Sequence, residues 1–204
     1  MKYEPKPLPF KKALIGISEK TMAIHHDKLY QGYVNKMQEI AEKLTAFEKG
    51  EGLDTANQTY SALRALKDGE TFAVNGVYLH EYYFNILGGG GKPSGALADA
   101  LAEKYGSLDN FLNYFKACGI AARGWAVLCW DTHGADLQIY TGDAHNQGGV
   151  WGAIPIIVLD VYEHAYFIDY GSDRAKYIDD YFQNLNWDAA NAVYAMARKL
   201  GIRR

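Results

Sequence analysis

An α+β fold is predicted for this chain by two long segments of helical periodicity near the N-terminus, three short strand-like runs in the second half, and helical signals on both sides of those runs. Residues 1–17, punctuated by Pro5, Pro7 and Pro9, read as an extended arm. Ser18 is the expected N-cap of a long helix whose apolar positions, Met22, Leu29, Tyr33, Met37, Ile40 and Leu44, recur at helical spacing. Gly50-Glu-Gly52 closes that segment or its successor. A second helical pattern spans 72–87, with Val74, Val77, Tyr78, Phe84 and Leu87 apolar. Gly88-Gly-Gly-Gly91-Lys-Pro93 is the clearest break, and divides the chain into an N-terminal helical domain, 1–88, and a C-terminal α+β domain, 89–204. It is not a phosphate-binding loop: the Ser or Thr required after Gly-Lys is Pro93, and the leading Gly falls at Ile86. Ser94 and Ser107 are expected to cap two short helices separated at Gly106. Strands are expected at Gly124–Trp130, Leu137–Thr141 and Ile154–Asp160, the first two joined by a turn through Asp131-Thr-His-Gly134. Asp173 and Asn186 mark the starts of closing helices.

Composition narrows the function. Hydrophobic residues make up 49% and charged residues 22%, the balance of a globular chain with a real core. A net charge of −3 argues against a nucleic-acid surface. The apolar run Ala13–Ile17 is far too short for a signal peptide or a membrane span, so no membrane partner is expected. Cys118 and Cys129, in apolar surroundings without framework spacing, read as free thiols of a cytoplasmic protein. Sixteen tyrosines are many for this length, but aromatic content alone assigns no function.

The chemistry concentrates at Asp160-Val-Tyr-Glu-His164, directly after the apolar run Ile154–Leu159. Buried, unpaired Asp and His are costly, and a bound cation offsets that cost. On the first helix His25, Leu29 and Tyr33 share one face, and His80 lies within the second helical pattern. Taken singly, His25 and His80 read more readily as hydrogen-bonded core histidines than as ligands, and an Asp-His pair at this spacing also arises by chance. Together, three imidazoles and a carboxylate suit Fe, Mn or Zn, and the lack of thiolate ligands disfavours structural zinc. His26 points about 100° away from His25 on a helix and is not counted. His133 reads as a solvated turn residue.

Several motifs in order carry a resemblance over nearly the whole chain: Ile24-His25-His26-Asp-Lys28 followed by Tyr33-Val-Asn35, the helix bearing His80, Tyr105-Gly-Ser-Leu-Asp-Asn-Phe111, Gly124-Trp125-Ala126, Asp160-Val-Tyr-Glu-His-Ala-Tyr166 and Asn186-Trp187-Asp188. In these the sequence resembles the iron/manganese superoxide dismutases. The resemblance implies an N-terminal antiparallel helical hairpin, then an α/β domain with a three-stranded antiparallel sheet. It implies one Fe or Mn ion bound by His25, His80, Asp160 and His164 with a solvent ligand, Asp160 and His164 lying at a strand end and the following turn. It further implies superoxide as substrate and Tyr33 at the substrate entrance, delivering protons. The outer-sphere glutamine that members of the family carry is absent from the helix, where Gly76 stands; the loop reads Asp143-Ala-His145-Asn-Gln147. His145 is assigned as the partner of the solvent, with Gln147 as the substitute. Leu29 and Phe167 replace a histidine and a tyrosine that meet across the family's dimer interface, and Val127 and Tyr162 replace tryptophans, while Trp125 remains. Glu163, matching the acid that reaches the second subunit's His164, implies a homodimer or a dimer-based tetramer. Lys28 and Arg174 are candidates for steering the anion or plain surface charges.

Overall fold

A computed structural model describes residues 3–200. After the irregular arm, Ser18 Oγ accepts from the Thr21 N–H at 3.1 Å and starts α1 (Glu19–Ala23). The helix continues through a π-helical stretch, Ile24–Tyr30, into α2 (Gln31–Glu48). Apolar spacing does not announce the π stretch; its trace is that buried positions step by five, from His25 to Tyr30, before returning to four at Val34. Gly50 and Gly52 then turn the chain with φ of 95° and 67°.

The return helix α3 (Ala62–Asn85) begins ten residues before the expected 72, at Ser61, whose Oγ accepts from the Arg64 N–H at 3.1 Å. The reason is packing: Leu63 and Leu66 lie against Ile40, Leu44 and Ala73, so the apolar stripe extends into a stretch whose other positions are polar. α3 folds back on α2, and the two make the hairpin. The glycine run after it is closely docked. Gly89 N–H donates to Asn184 O at 3.0 Å and Gly91 N–H to Leu185 O at 3.0 Å. A Cβ on Gly91 (φ 67°) would lie 2.6 Å from Gln183 Cα.

α4 (Gly95–Tyr105) and α5 (Leu108–Ala121) are divided at Gly106, with φ 81°. Ser107 caps α5 as expected. Ser94 does not cap α4 with its side chain; Asn191 takes that place, its Oδ1 accepting from the Leu97 N–H at 2.9 Å. The strands β1 (Trp125–Asp131), β2 (Asp136–Gly142) and β3 (Ala153–Asp160) form an antiparallel sheet in the order β2-β1-β3. Central β1 is buried from Trp125 to Trp130. At the edge, β3 tolerates Pro155 at a bulge, where register passes from Leu128↔Ile157 to Cys129↔Pro155.

The closing helices are α6 (Phe167–Tyr170), α7 (Arg174–Gln183) and α8 (Trp187–Ala197), the last two capped by Asp173 and Asn186. α7 completes the edge of the sheet. Tyr181 OH donates to Val158 O and Tyr177 OH to Asp160 O, each at 2.8 Å. Four residues of helix rise about 6 Å and two of strand about 7 Å, so phenols one turn apart meet alternate carbonyls. Tyr181→Phe would orphan the buried Val158 carbonyl, and chemical unfolding should show a loss of about 1–3 kcal/mol.

Candidate metal centre

Four elements deliver one side chain each. His25 comes from the π stretch, His80 from α3, Asp160 from the last position of β3, and His164 from the 3₁₀ turn Glu163–Ala165. Their ligand atoms all lie within 4.8 Å of one another. Asp160 Oδ2 is 3.1 Å from His25 Nε2, 3.2 Å from His164 Nε2 and 3.6 Å from His80 Nε2. His25, His80 and Asp160 are fully buried. The carboxylate is held from behind: Tyr162 N–H donates to Oδ1 at 2.9 Å, and Tyr177 fixes the main-chain carbonyl.

Protonation shows what this cluster needs. His80 Nδ1 lies 2.5 Å from Gly76 O, so Nδ1 carries the hydrogen and donates it. Nε2 of neutral His80 therefore turns a lone pair toward a carboxylate oxygen, and it has no hydrogen-bond partner. Burial lowers the proton affinity of both His25 and His80, keeping them uncharged. Burial disfavours the charged forms of Asp160 and His164, yet their mutual attraction prevails, holding Asp160 ionised and raising His164. The His80 lone pair and the carboxylate repel in a dry site unless a cation stands between them, and three imidazoles with one carboxylate suit a first-row transition metal.

Beside the cluster, Tyr33 lies 5.3 Å from the His80 ring and 4.7 Å, edge-on, from His145. Burial pushes the Tyr33 phenol up to about 12, so it stays protonated. Trp125 Nε1–H donates to His145 Nδ1 at 3.0 Å. Nδ1 is thus the acceptor, and Nε2 bears the hydrogen, buried and without a partner. Burial takes the imidazole down to about 4, so it is neutral. Gly76 makes room for both rings: a Cβ there would lie 2.9 Å from Tyr33 Cγ and 3.4 Å from His145 Cδ2. Gly76→Ala should therefore destabilise despite about 1 kcal/mol of gained helix propensity, because overpacking costs about 1–3 kcal/mol. A lower melting temperature together with lower turnover would check this; an unchanged turnover would show that Tyr33 is free to move.

The remaining candidates fall outside the cluster. Gln147 is exposed. His26 contacts the Asp27 carboxylate at 2.7 Å and Lys6 O at 2.9 Å, facing away. His133 is exposed in its turn. Lys28 is exposed, but Arg174 is not a free charge: it donates to Ala122 O at 2.8 Å and to Tyr166 OH at 3.2 Å. Tyr83, with its ring 5.1 Å from His25, and Tyr177 behind Asp160 are supports that the sequence reading missed. Tyr83 follows His80 by three residues and shares its helix face, a usable signal; Tyr177 has none.

A helical hairpin and a small α/β domain closing on three imidazoles and one carboxylate define a mononuclear metalloprotein. Residues 2–88 match the alpha-hairpin domain of the iron/manganese superoxide dismutases, and residues 93–193 match their C-terminal domain. An iron superoxide dismutase of Aquifex aeolicus is 45% identical over 200 residues, covering 97% of this chain and 93% of the relative. A manganese superoxide dismutase of Halobacterium salinarum is 39% identical, covering 96% of both chains. An iron superoxide dismutase of Saccharolobus solfataricus is also 39% identical, over 93% of this chain and 92% of its own. The chain belongs to the iron/manganese superoxide dismutases.

Proposed function

We propose that His25, His80, Asp160 and His164 hold one Fe or Mn ion, and that Tyr33 and His145 serve its substrate. The enzyme is a superoxide dismutase: two superoxide ions and two protons become dioxygen and hydrogen peroxide. When bound, the ion supplies the one-electron couple, alternating between trivalent and divalent states. The protein supplies the rest. Three neutral imidazoles and one carboxylate leave positive charge on the ion, which draws a small anion. Asp160, held ionised, keeps that charge modest. His145 offers a single fixed donor, Nε2–H, and Tyr33 holds a phenolic proton beside it. Rings of Tyr33, Phe84, Trp125 and Tyr162 wall the site and exclude bulk water.

The observation that carries this reading is the unpartnered His80 Nε2 aimed at Asp160, with its tautomer locked by Gly76. Reconstitution with Fe and with Mn separately, followed by metal analysis and a superoxide-removal assay, tests it. Full loading without activity for either metal would overturn it.

A homodimer, or a tetramer of such dimers, with Glu163 at the interface extends the proposal. Glu163 is exposed on the turn that carries His164, and the neighbouring Phe167 and Ile168 are 53% and 46% exposed. Light scattering on Glu163→Ala should show a shift toward monomer. The unpaired thiols Cys118 and Cys129 support a reducing cytoplasm. Among the described residues no helix is long and apolar enough to cross a membrane. The two family matches, meeting between residues 88 and 93, support domains at 1–88 and 89–204.

A further inference from the structure

The tyrosines are not scattered. Tyr83 lies against the His25 ring, its hydroxyl 3.2 Å from that of Tyr177. Tyr177 in turn stacks on Tyr166 at 5.2 Å and meets Tyr170 edge-on at 5.8 Å. Tyr83 and Tyr177 are fully buried, whereas Tyr170 is half-buried. The series therefore leads from a ligand of the ion to the surface in ring-to-ring steps.

Its outer end differs chemically from its interior. Tyr83 and Tyr177 have hydroxyl and carbonyl partners, neither of them a base. Tyr170 OH donates to the Asp180 carboxylate at 2.9 Å. A phenol that loses an electron becomes strongly acidic, so an oxidised tyrosine comes to rest where a base can take its proton. Only the last member of this series has one.

We infer that Tyr83, Tyr177 and Tyr170 form an electron relay that drains oxidising equivalents from the metal centre to Tyr170 when hydrogen peroxide attacks it. The inference rests on the dismutase reading, because peroxide is the product of that reaction. Peroxide needs two electrons and two protons to become two waters. One electron is that of divalent iron, which is left trivalent, the state that superoxide reduces in ordinary turnover. The second comes from Tyr170 through Tyr177 and Tyr83. The Tyr170 proton passes to Asp180 and to solvent, solvent returns it at the site with one more, and a neutral tyrosyl radical remains. The benefit is positional: the unpaired electron ends at the surface, away from His25, His80, His164 and Trp125.

The test uses the full chain loaded with ferrous iron, its dismutase activity measured first. It is then mixed with hydrogen peroxide and followed by freeze-quench electron paramagnetic resonance and peptide mass spectrometry. The wild type should give a tyrosyl radical and oxidation concentrated at Tyr170. Tyr170→Phe should keep dismutation, lose that radical, and oxidise the ligand histidines several-fold faster. Tyr177→Phe should likewise leave Tyr170 unmodified; if it fails to fold, Tyr170→Phe decides alone. Absence of a tyrosyl radical, or equal histidine damage in wild type and Tyr170→Phe, would overturn the relay while leaving the dismutase intact. Iron-loaded wild type without dismutase activity would overturn the relay, and only inactivity with manganese as well would overturn the catalytic reading.

Discussion

Asp160→Asn should yield a folded chain that neither retains Fe or Mn nor removes superoxide. The carboxylate is the sole anion among the four converging groups, and its Oδ2 faces all three Nε2 atoms. An amide keeps the volume and still offers an oxygen to the Tyr162 N–H, and the main-chain bond from Tyr177 is untouched. What disappears is the charge that makes a multivalent cation welcome in a dry pocket. Stability reports the same event. A metal present at a hundred times its dissociation constant adds about 2.7 kcal/mol to the folded state. Chelation should therefore lower the melting temperature of the wild type and leave that of Asp160→Asn unmoved. A variant that kept a full complement of metal would show that the carboxylate is not a ligand.

His145→Ala should separate binding from turnover. The imidazole is no member of the cluster; its role is to present Nε2–H in a fixed direction while Nδ1 accepts from Trp125. Groups of this kind around a metal typically govern about 10–100-fold in activity or affinity, and here the loss should fall on activity with metal content unchanged. The indole N–H left behind is buried and unpaired, a further cost of about 1–3 kcal/mol in stability. His145→Gln should recover part of both, because a carboxamide can accept from Trp125 and donate with its other end. Loss of metal from His145→Ala would instead make His145 a ligand.

Features encoded locally were legible in the sequence. Ser18, Ser107, Asp173 and Asn186 cap the helices that follow them, because a cap needs only its own next three residues. The strands were readable to within a residue from their apolar runs. The four clustered residues were legible through motif order, not through spacing alone. What escaped was non-local. Asn191 caps α4 from 94 positions beyond Leu97, displacing the role expected of Ser94. The start of α3 depends on apolar partners across the hairpin, and Arg174 is tied down by the Ala122 carbonyl, 52 positions away at the end of α5. Likewise, nothing in the sequence ties Trp125 to His145, or Tyr177 to the carbonyl of Asp160.

The π stretch at Ile24–Tyr30 makes helix pitch itself part of the site. A π-turn holds one residue more than the α-helix around it. Deleting a single residue between 26 and 30 would let α1 and α2 merge into regular helix, the buried steps of five and four becoming four and four, so that the segment before the cut keeps its facing relative to α2. Winding the stretch as regular α-helix at its full length would instead turn His25 by about 100° off the cluster, while Tyr33 and Val34 stayed in place. Substitutions probe these side chains one at a time; the pitch of this turn decides whether an unaltered His25 reaches the cluster at all. In this helix the wider turn absorbs a spare residue, and its pitch is as specific an instruction as any of the four clustered side chains.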